Sequence, residues 1–193
     1  MGRWGTRWAL WGIVLAAMLV VSVAWAQAPA KPKLERLKIA VAPLGWDTNY
    51  SWLQSRSGML DKRPALEYLV GIERNTGAYI PELAEKWGMS PDGKDWTVTL
   101  RQGIPFHEHW GEFTARDVRH AVFLISQPGA AASDTGIWRS VMGIGKADTV
   151  AEVARKVAQG VEIHNNYEVV FHLQQAVPEF LGIHLARDNL LSQ

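Results

Sequence analysis

Apolar residues recur at three different spacings along this chain, and each spacing predicts a different element. Trp96, Val98 and Leu100 alternate with Thr97, Thr99 and Arg101. A period of two places successive side chains on opposite faces, so this run predicts a half-buried strand. Val161 and Ile163, then Tyr167, Val169, Phe171 and Leu173, flank Asn165-Asn166. Asn tolerates the left-handed geometry of a tight turn, so this stretch predicts a β-hairpin. A helical spacing appears twice, in Ala115, Val118, Val122 and Ile125 and again in Val150, Val153, Ala154 and Val157. Both helices carry a start signal. Thr114 precedes Asp117 by three residues and Thr149 precedes Glu152 by three, the spacing of a reciprocal capping box. Phe113 and Val118 are placed as a hydrophobic staple, and Pro128-Gly129 and Gly160 supply the stops. The third pattern is a nearly continuous apolar run near the N-terminus, interrupted only by Gly12 and Ser22.

Other segments give weaker signals. Leu37 to Ala42 has strand length and is closed by Pro43, Leu44 and Gly45. Trp46 to Ser57 reads as a loop, and Gly58 to Val70 as partly helical around Ala65, Leu66 and Leu69. Pro81 predicts a short helix, because proline suits a first turn and Glu82 and Glu85 suit its positive end. Leu83, Ala84 and Trp87 would be its stripe and Gly88 its stop. Ser90-Pro91-Asp92-Gly93 predicts a tight turn. Residues 129–147, around Ile137 and Trp138, read as loop. Pro178 opens a last helix with Phe180, Leu181 and Leu185. The fold class that follows is α/β: a mixed sheet with flanking helices.

The N-terminal run reads as an export signal. Arg3 and Arg7 form a basic start, Trp8 to Val23 is apolar, and Ala24-Trp25-Ala26 has the small-x-small pattern of a cleavage site. The expected organisation is a signal peptide over 1–26, a Pro/Ala/Lys linker over 27–36 and a domain over 37–193. An uncleaved Trp8–Ala26 anchor is the alternative, since that run is long enough to span a bilayer.

Composition narrows the chemistry. The formal net charge is +1. Removing a leader that contains Arg3 and Arg7 leaves a slight acidic excess, which is no footprint for nucleic acid. There is no cysteine. Disulfides, thiol chemistry and a lipid-bearing cysteine are thereby removed, so an exported product is free in a periplasm or held by its leader. No cofactor motif stands out. Gly143, Gly145 and Lys146 lack phosphate-loop spacing, and neither G-x-S-x-G nor H-E-x-x-H occurs. His107, Glu108 and His109 are metal-ligand types without a placed third ligand; His164 and His172 lack ligand spacing. Glu108 and Glu112 read as solvated loop acids. Among the tryptophans, Trp87 and Trp96 are expected in the core, whereas Trp110 and Trp138 stay open between core and ligand platform.

Three stretches together resemble the family 5 extracellular solute-binding proteins. They are PELAEKWGMSPDGKDWTVTLRQG from Pro81 to Gly103, FHEHWGEFTARDV from Phe106 to Val118, and GVEIHNNYEVVFHLQQAVPEFL from Gly160 to Leu181. Their order and spacing carry the resemblance, which spans about Leu37 to Leu185. In one respect the chain departs from the family pattern: His109-Trp110 delay the glycine that usually follows the acidic residue of the second stretch.

The resemblance implies the truncated first lobe of a two-lobed periplasmic binding protein, type II-like. Its implied role is the substrate-binding component of an ABC importer, which captures peptides or similar small solutes by closing around them. It implies ABC permease subunits as partners, a monomeric state and no covalent chemistry. By the same resemblance the loop holding Leu44, Gly45, Trp46 and Asp47 faces the ligand, with Trp46 lining the pocket and Asp47 accepting hydrogen bonds. The bland alternative makes Trp46 core and Asp47 a turn residue. Two other functions stand beside the importer reading: a membrane-tethered interaction or sensor domain, and a secreted metal-dependent enzyme.

Overall fold

A computed structural model of the chain describes residues 50–53 and 66–186, all within the unit Val41–Gln193. The expected elements at Leu37–Ala42, most of Gly58–Val70, the leader and Leu44–Asp47 lie outside the described residues. Among the described residues no helix is long and apolar enough to cross a membrane.

The centre is a four-stranded sheet. Its strands are β3 (Ala84–Met89), β4 (Asp95–Leu100), β5 (Val161–Asn165) and β6 (Glu168–His172), in the order β3-β4-β6-β5. A separate ribbon pairs β1 (Val70–Ile72) with β2 (Tyr79–Pro81). Helices and strands combine as expected for an α/β unit. Every described ladder is antiparallel, so the parallel component of a mixed sheet is not among these residues.

The period-two runs do what their spacing demands. Trp96 pairs with Phe171 and Val98 with Val169, while Val161 and Ile163 pair with the same two β6 residues from the other side. Rows of apolar side chains therefore cross three strands on one face. Helices α1 (Ala115–Ser126) and α3 (Val150–Gly160) pack against it with Val118, Val122, Ile125, Val153 and Val157 buried. Both capping boxes form, with each threonine and its acidic partner exchanging side-chain-to-backbone bonds. The α3 stripe is narrower than expected, since Val150 and Ala154 are exposed. The β5–β6 hairpin forms as expected, but its turn is Asn166-Tyr167, Asn165 is paired with Glu168, and neither asparagine is left-handed; Gly93, at φ 72°, closes the Ser90 turn.

Three expectations are corrected. The helix expected from Pro81 is instead the end of β2 followed by β3. Its apolar positions, Ala84 and Trp87, are three apart, which looks helical in one dimension. A bulge between Ala84 and Lys86 shifts the strand's parity, so Ala84 opposite Leu100 and Trp87 opposite Val98 both face the core. The backbone is also engaged at long range: Leu83 and Ala84 N–H donate to the Tyr68 and Leu69 carbonyls, and Arg101 N–H donates to Leu83. An eight-residue helix has too little internal stability to compete with such pairing. Secondly, residues 66–69 form no helix and lead into β1.

Thirdly, the loop expected over 129–147 contains α2 (Thr135–Val141). This seven-residue helix has no side-chain cap bond and too few turns to show a period. Its Trp138 is fully buried and belongs to the core. Trp138 meets Phe171 at 6.2 Å, Phe180 at 5.8 Å and His184 at 4.5 Å between ring centroids. Phe180 leads into a π-helical turn, Leu181–Leu185, where the last helix was expected, and Leu181 and Leu185 are buried there.

Candidate functional site

The loop between β4 and α1 borders an open cleft. Its base is tied closed. Phe106 N–H donates to the Gly111 carbonyl at 2.9 Å, Phe113 N–H donates to Ile104 at 2.8 Å, and Pro105 bridges Glu112. Glu112 gathers two further donors on one carboxylate oxygen, the Gly103 N–H at 2.5 Å and the Tyr167 hydroxyl at 2.8 Å. The bond to Glu112 holds the Tyr167 phenol above its ordinary pKa of 10.0, because ionisation would set two negative oxygens together. Phe106 stands edge-on to the buried Phe113 ring, 6.3 Å between centroids.

Within that closed base the backbone is forced left-handed at two non-glycine residues, Glu108 (φ 52°) and His109 (φ 65°). Each such residue costs about 1–2 kcal/mol, which the surrounding bonds offset. The result is an outward display. Trp110 is 83 % exposed, the largest value among the exposed large apolar side chains described. With Phe106, His107, Glu108 and Asp117 it lines an open cleft of about 590 Å³. The cleft combines aromatic surface with carboxylates. Asp117 has one oxygen committed to Thr114, accepting from its N–H at 2.7 Å and its hydroxyl at 2.9 Å.

The structure sorts the other candidates. His107, Glu108 and His109 form a single exposed turn. Among the described residues no group of three or more His, Asp or Glu side chains is arranged to hold a metal ion. The carbonyls of Gly143 and Gly145 accept from Lys156 and Arg139, which turns the would-be phosphate loop into a closed structural turn. Glu108 and Glu112 diverge, one toward the cleft and one into the loop's base. Trp87 and Trp96 belong to the core as expected. Leu44, Gly45, Trp46 and Asp47 lie outside the described residues. Sequence spacing left Trp110 unassigned; the delayed glycine was the one signal that this loop is unusual.

The described unit is an antiparallel α/β core with an open cleft lined by Phe106, His107, Glu108, Trp110 and Asp117. The model of the bacterial extracellular solute-binding proteins, family 5, matches residues 78–187, more than half of the chain, and the chain belongs to that family. It is 28 % identical over 170 residues to di/tripeptide-binding protein 2 of Pseudomonas aeruginosa, covering 86 % of this chain and 31 % of the relative. It is 44 % identical over 46 residues to the dipeptide-binding protein of Escherichia coli, covering 24 % of this chain and 9 % of that protein. Among solved structures, Haemophilus influenzae OppA in complex with the peptide RPPGFSPFR superposes with a TM-score of 0.51 at 27 % identity, over 65 % of this chain and 24 % of that one. The structural relatives are two-lobed periplasmic binding proteins, and this chain spans only part of them.

Proposed function

We propose that this chain supplies the first-lobe wall of a substrate-binding component for an ABC importer that takes up peptides or similar small solutes outside the inner membrane. The observation that carries the proposal is the family match over residues 78–187, on a fold whose β4–α1 loop exposes Trp110 to solvent. Family 5 proteins are transport binding proteins. The relatives named for di- and tripeptides and the OppA–peptide complex favour peptides as the solute. Permease subunits are the proposed partners and the periplasm or its equivalent the proposed location, reached by the leader over 1–26.

Two surfaces are assigned to the solute. One is the loop with Leu44, Gly45, Trp46 and Asp47, on family resemblance. The other is the Trp110 cleft, on its exposure and anchoring. An open wall desolvates one side of a ligand only, so this chain by itself binds weakly. Isothermal titration of the 193-residue chain with a di- and tripeptide library tests this. Affinity no tighter than millimolar is expected, lost in Trp110→Ala; micromolar affinity would show that one wall suffices. Disrupting the gene is expected to lower uptake of labelled dipeptides, and undiminished uptake would overturn the importer role.

A further inference from the structure

The face of the sheet opposite the core carries a row of acids and histidines outside the cleft. Asp95 from β4, Glu162 and His164 from β5, and Glu168 and His172 from β6 all project there. His172 sits between two strands' carboxylates. Its Nδ1 is 2.9 Å from Asp95 Oδ1 and its Nε2 is 2.9 Å from Glu162 Oε2. His164 repeats the arrangement more loosely, with Nδ1 3.1 Å from Glu168 and Nε2 3.4 Å from Glu162. The order is therefore Asp95, His172, Glu162, His164, Glu168, acid and imidazole alternating across three strands. Val170 lies among them on the same face and is only 6 % exposed.

Ionised carboxylates only accept hydrogen bonds, and a neutral imidazole brings a single N–H. Two 2.9 Å contacts from one ring to two carboxylates need both nitrogens protonated. We propose that His172 is a pH-sensitive clasp: as imidazolium it ties β4 to β5 across β6, and on losing a proton it lets one carboxylate go and loosens the β5–β6 hairpin. The loosening has a route to the cleft. The hairpin turn accepts from Ala115 N–H through the Asn166 carbonyl at 2.8 Å, which fixes the start of α1, and Tyr167 donates to Glu112 at the base of the Trp110 loop.

The electrostatics agree in sign. Partial burial lowers the pKa of His172, but the bonds and charges of Asp95 and Glu162 outweigh it and raise the ring above 6.5. A raised folded value means that the stabilisation is complete below 6.5 and is lost as pH climbs through the folded value. At the acid end Glu162 is held below 4.5, first by its bond to His172, so the clasp survives into mild acid. The charges acting on the ring are those of Asp95 and Glu162. Arg155 and Lys156 of α3 are on the helix that packs on the other face of the sheet. Lys156 is taken up by Asp148 at 2.6 Å, and Arg155 bonds Gln159 at 3.3 Å.

Imidazole NMR titration of the full chain, with amide-exchange protection factors for residues 161–172, tests the clasp. His172 is expected to titrate above 6.5, and protection across the hairpin to fall several-fold from about pH 5.5 to about pH 8. Asp95→Asn with Glu162→Gln should lower the ring's midpoint, and His172→Gln should flatten the protection profile. A wild-type midpoint at or below 6.5 overturns the proposal, as does a hairpin whose protection keeps its pH dependence in His172→Gln. The ring titration is read on the wild-type chain, so a variant that folds poorly leaves the test intact.

Discussion

Trp138 shows how much one side chain contributes here. Its ring is fully buried and touches Phe171, Phe180 and His184, which come from a strand and from the π-helical turn. Trp138→Ala is expected to cost about 3–5 kcal/mol, measurable by urea denaturation, because the surrounding core relaxes only partly into the void left by so large a ring. Beside it, His184 is buried with no exposed surface. Burial pushes its pKa down from 6.5 to about 4, against the pull of the Asp134 carboxylate. The neutral ring is thus the folded form, and the unfolded chain binds a proton first as pH falls. Stability is complete above 6.5 and declines toward 4, by on the order of 3 kcal/mol. His184→Phe should remove that decline in thermal melts across the same window. Its sign is opposite to that of His172, so the two rings confine maximal stability to a band between them.

At the scale of elements, the caps and turns explain why the helices and hairpins start and stop where they do. Thr114 and Asp117 satisfy each other's backbone at the start of α1, and the same end is fixed by the Asn166 carbonyl. Thr114→Ala is expected to cost about 1 kcal/mol in chemical denaturation. Gly93 holds the β3–β4 turn at φ 72°, and an added Cβ would stand 3.2 Å from the Ala176 Cβ. Gly93→Ala is expected to cost about 1–2 kcal/mol in the same assay, since the backbone is left-handed and the space is taken. The bulge in β3 acts differently. It adds no bond of its own, yet it alone brings Ala84 and Trp87 to one face.

Across the described residues, the buried core and the exposed Trp110 loop are separate. The core lies between one face of the sheet and α1 and α3; the charged clasp covers the other face; the Trp110 loop projects at an end. Trp110→Ala should change stability by less than about 0.5 kcal/mol, because the ring packs on little, while weakening whatever the cleft holds. Equal thermal melts with a changed peptide titration would separate display from packing. The chain spans about a third or less of the length of these relatives.

The sequence by itself determined the elements whose signals are local. The α1 and α3 capping boxes, the Ser90–Gly93 turn, the β4 alternation and the β5–β6 hairpin each rest on residues within a few positions of one another, and short-range sterics and hydrogen bonds decide them. Family resemblance in the order of three motifs was also legible. Tertiary structure decided the rest. Residues 84–89 became a strand because β4 offered an edge and a bulge corrected the parity. Residues 135–141 became a helix because a core was waiting for Trp138. His164 and His172 look unrelated along the chain, and only antiparallel register sets them on opposite sides of Glu162. Contacts between distant residues release free energy only once the chain has brought them together, and no local pattern records that meeting.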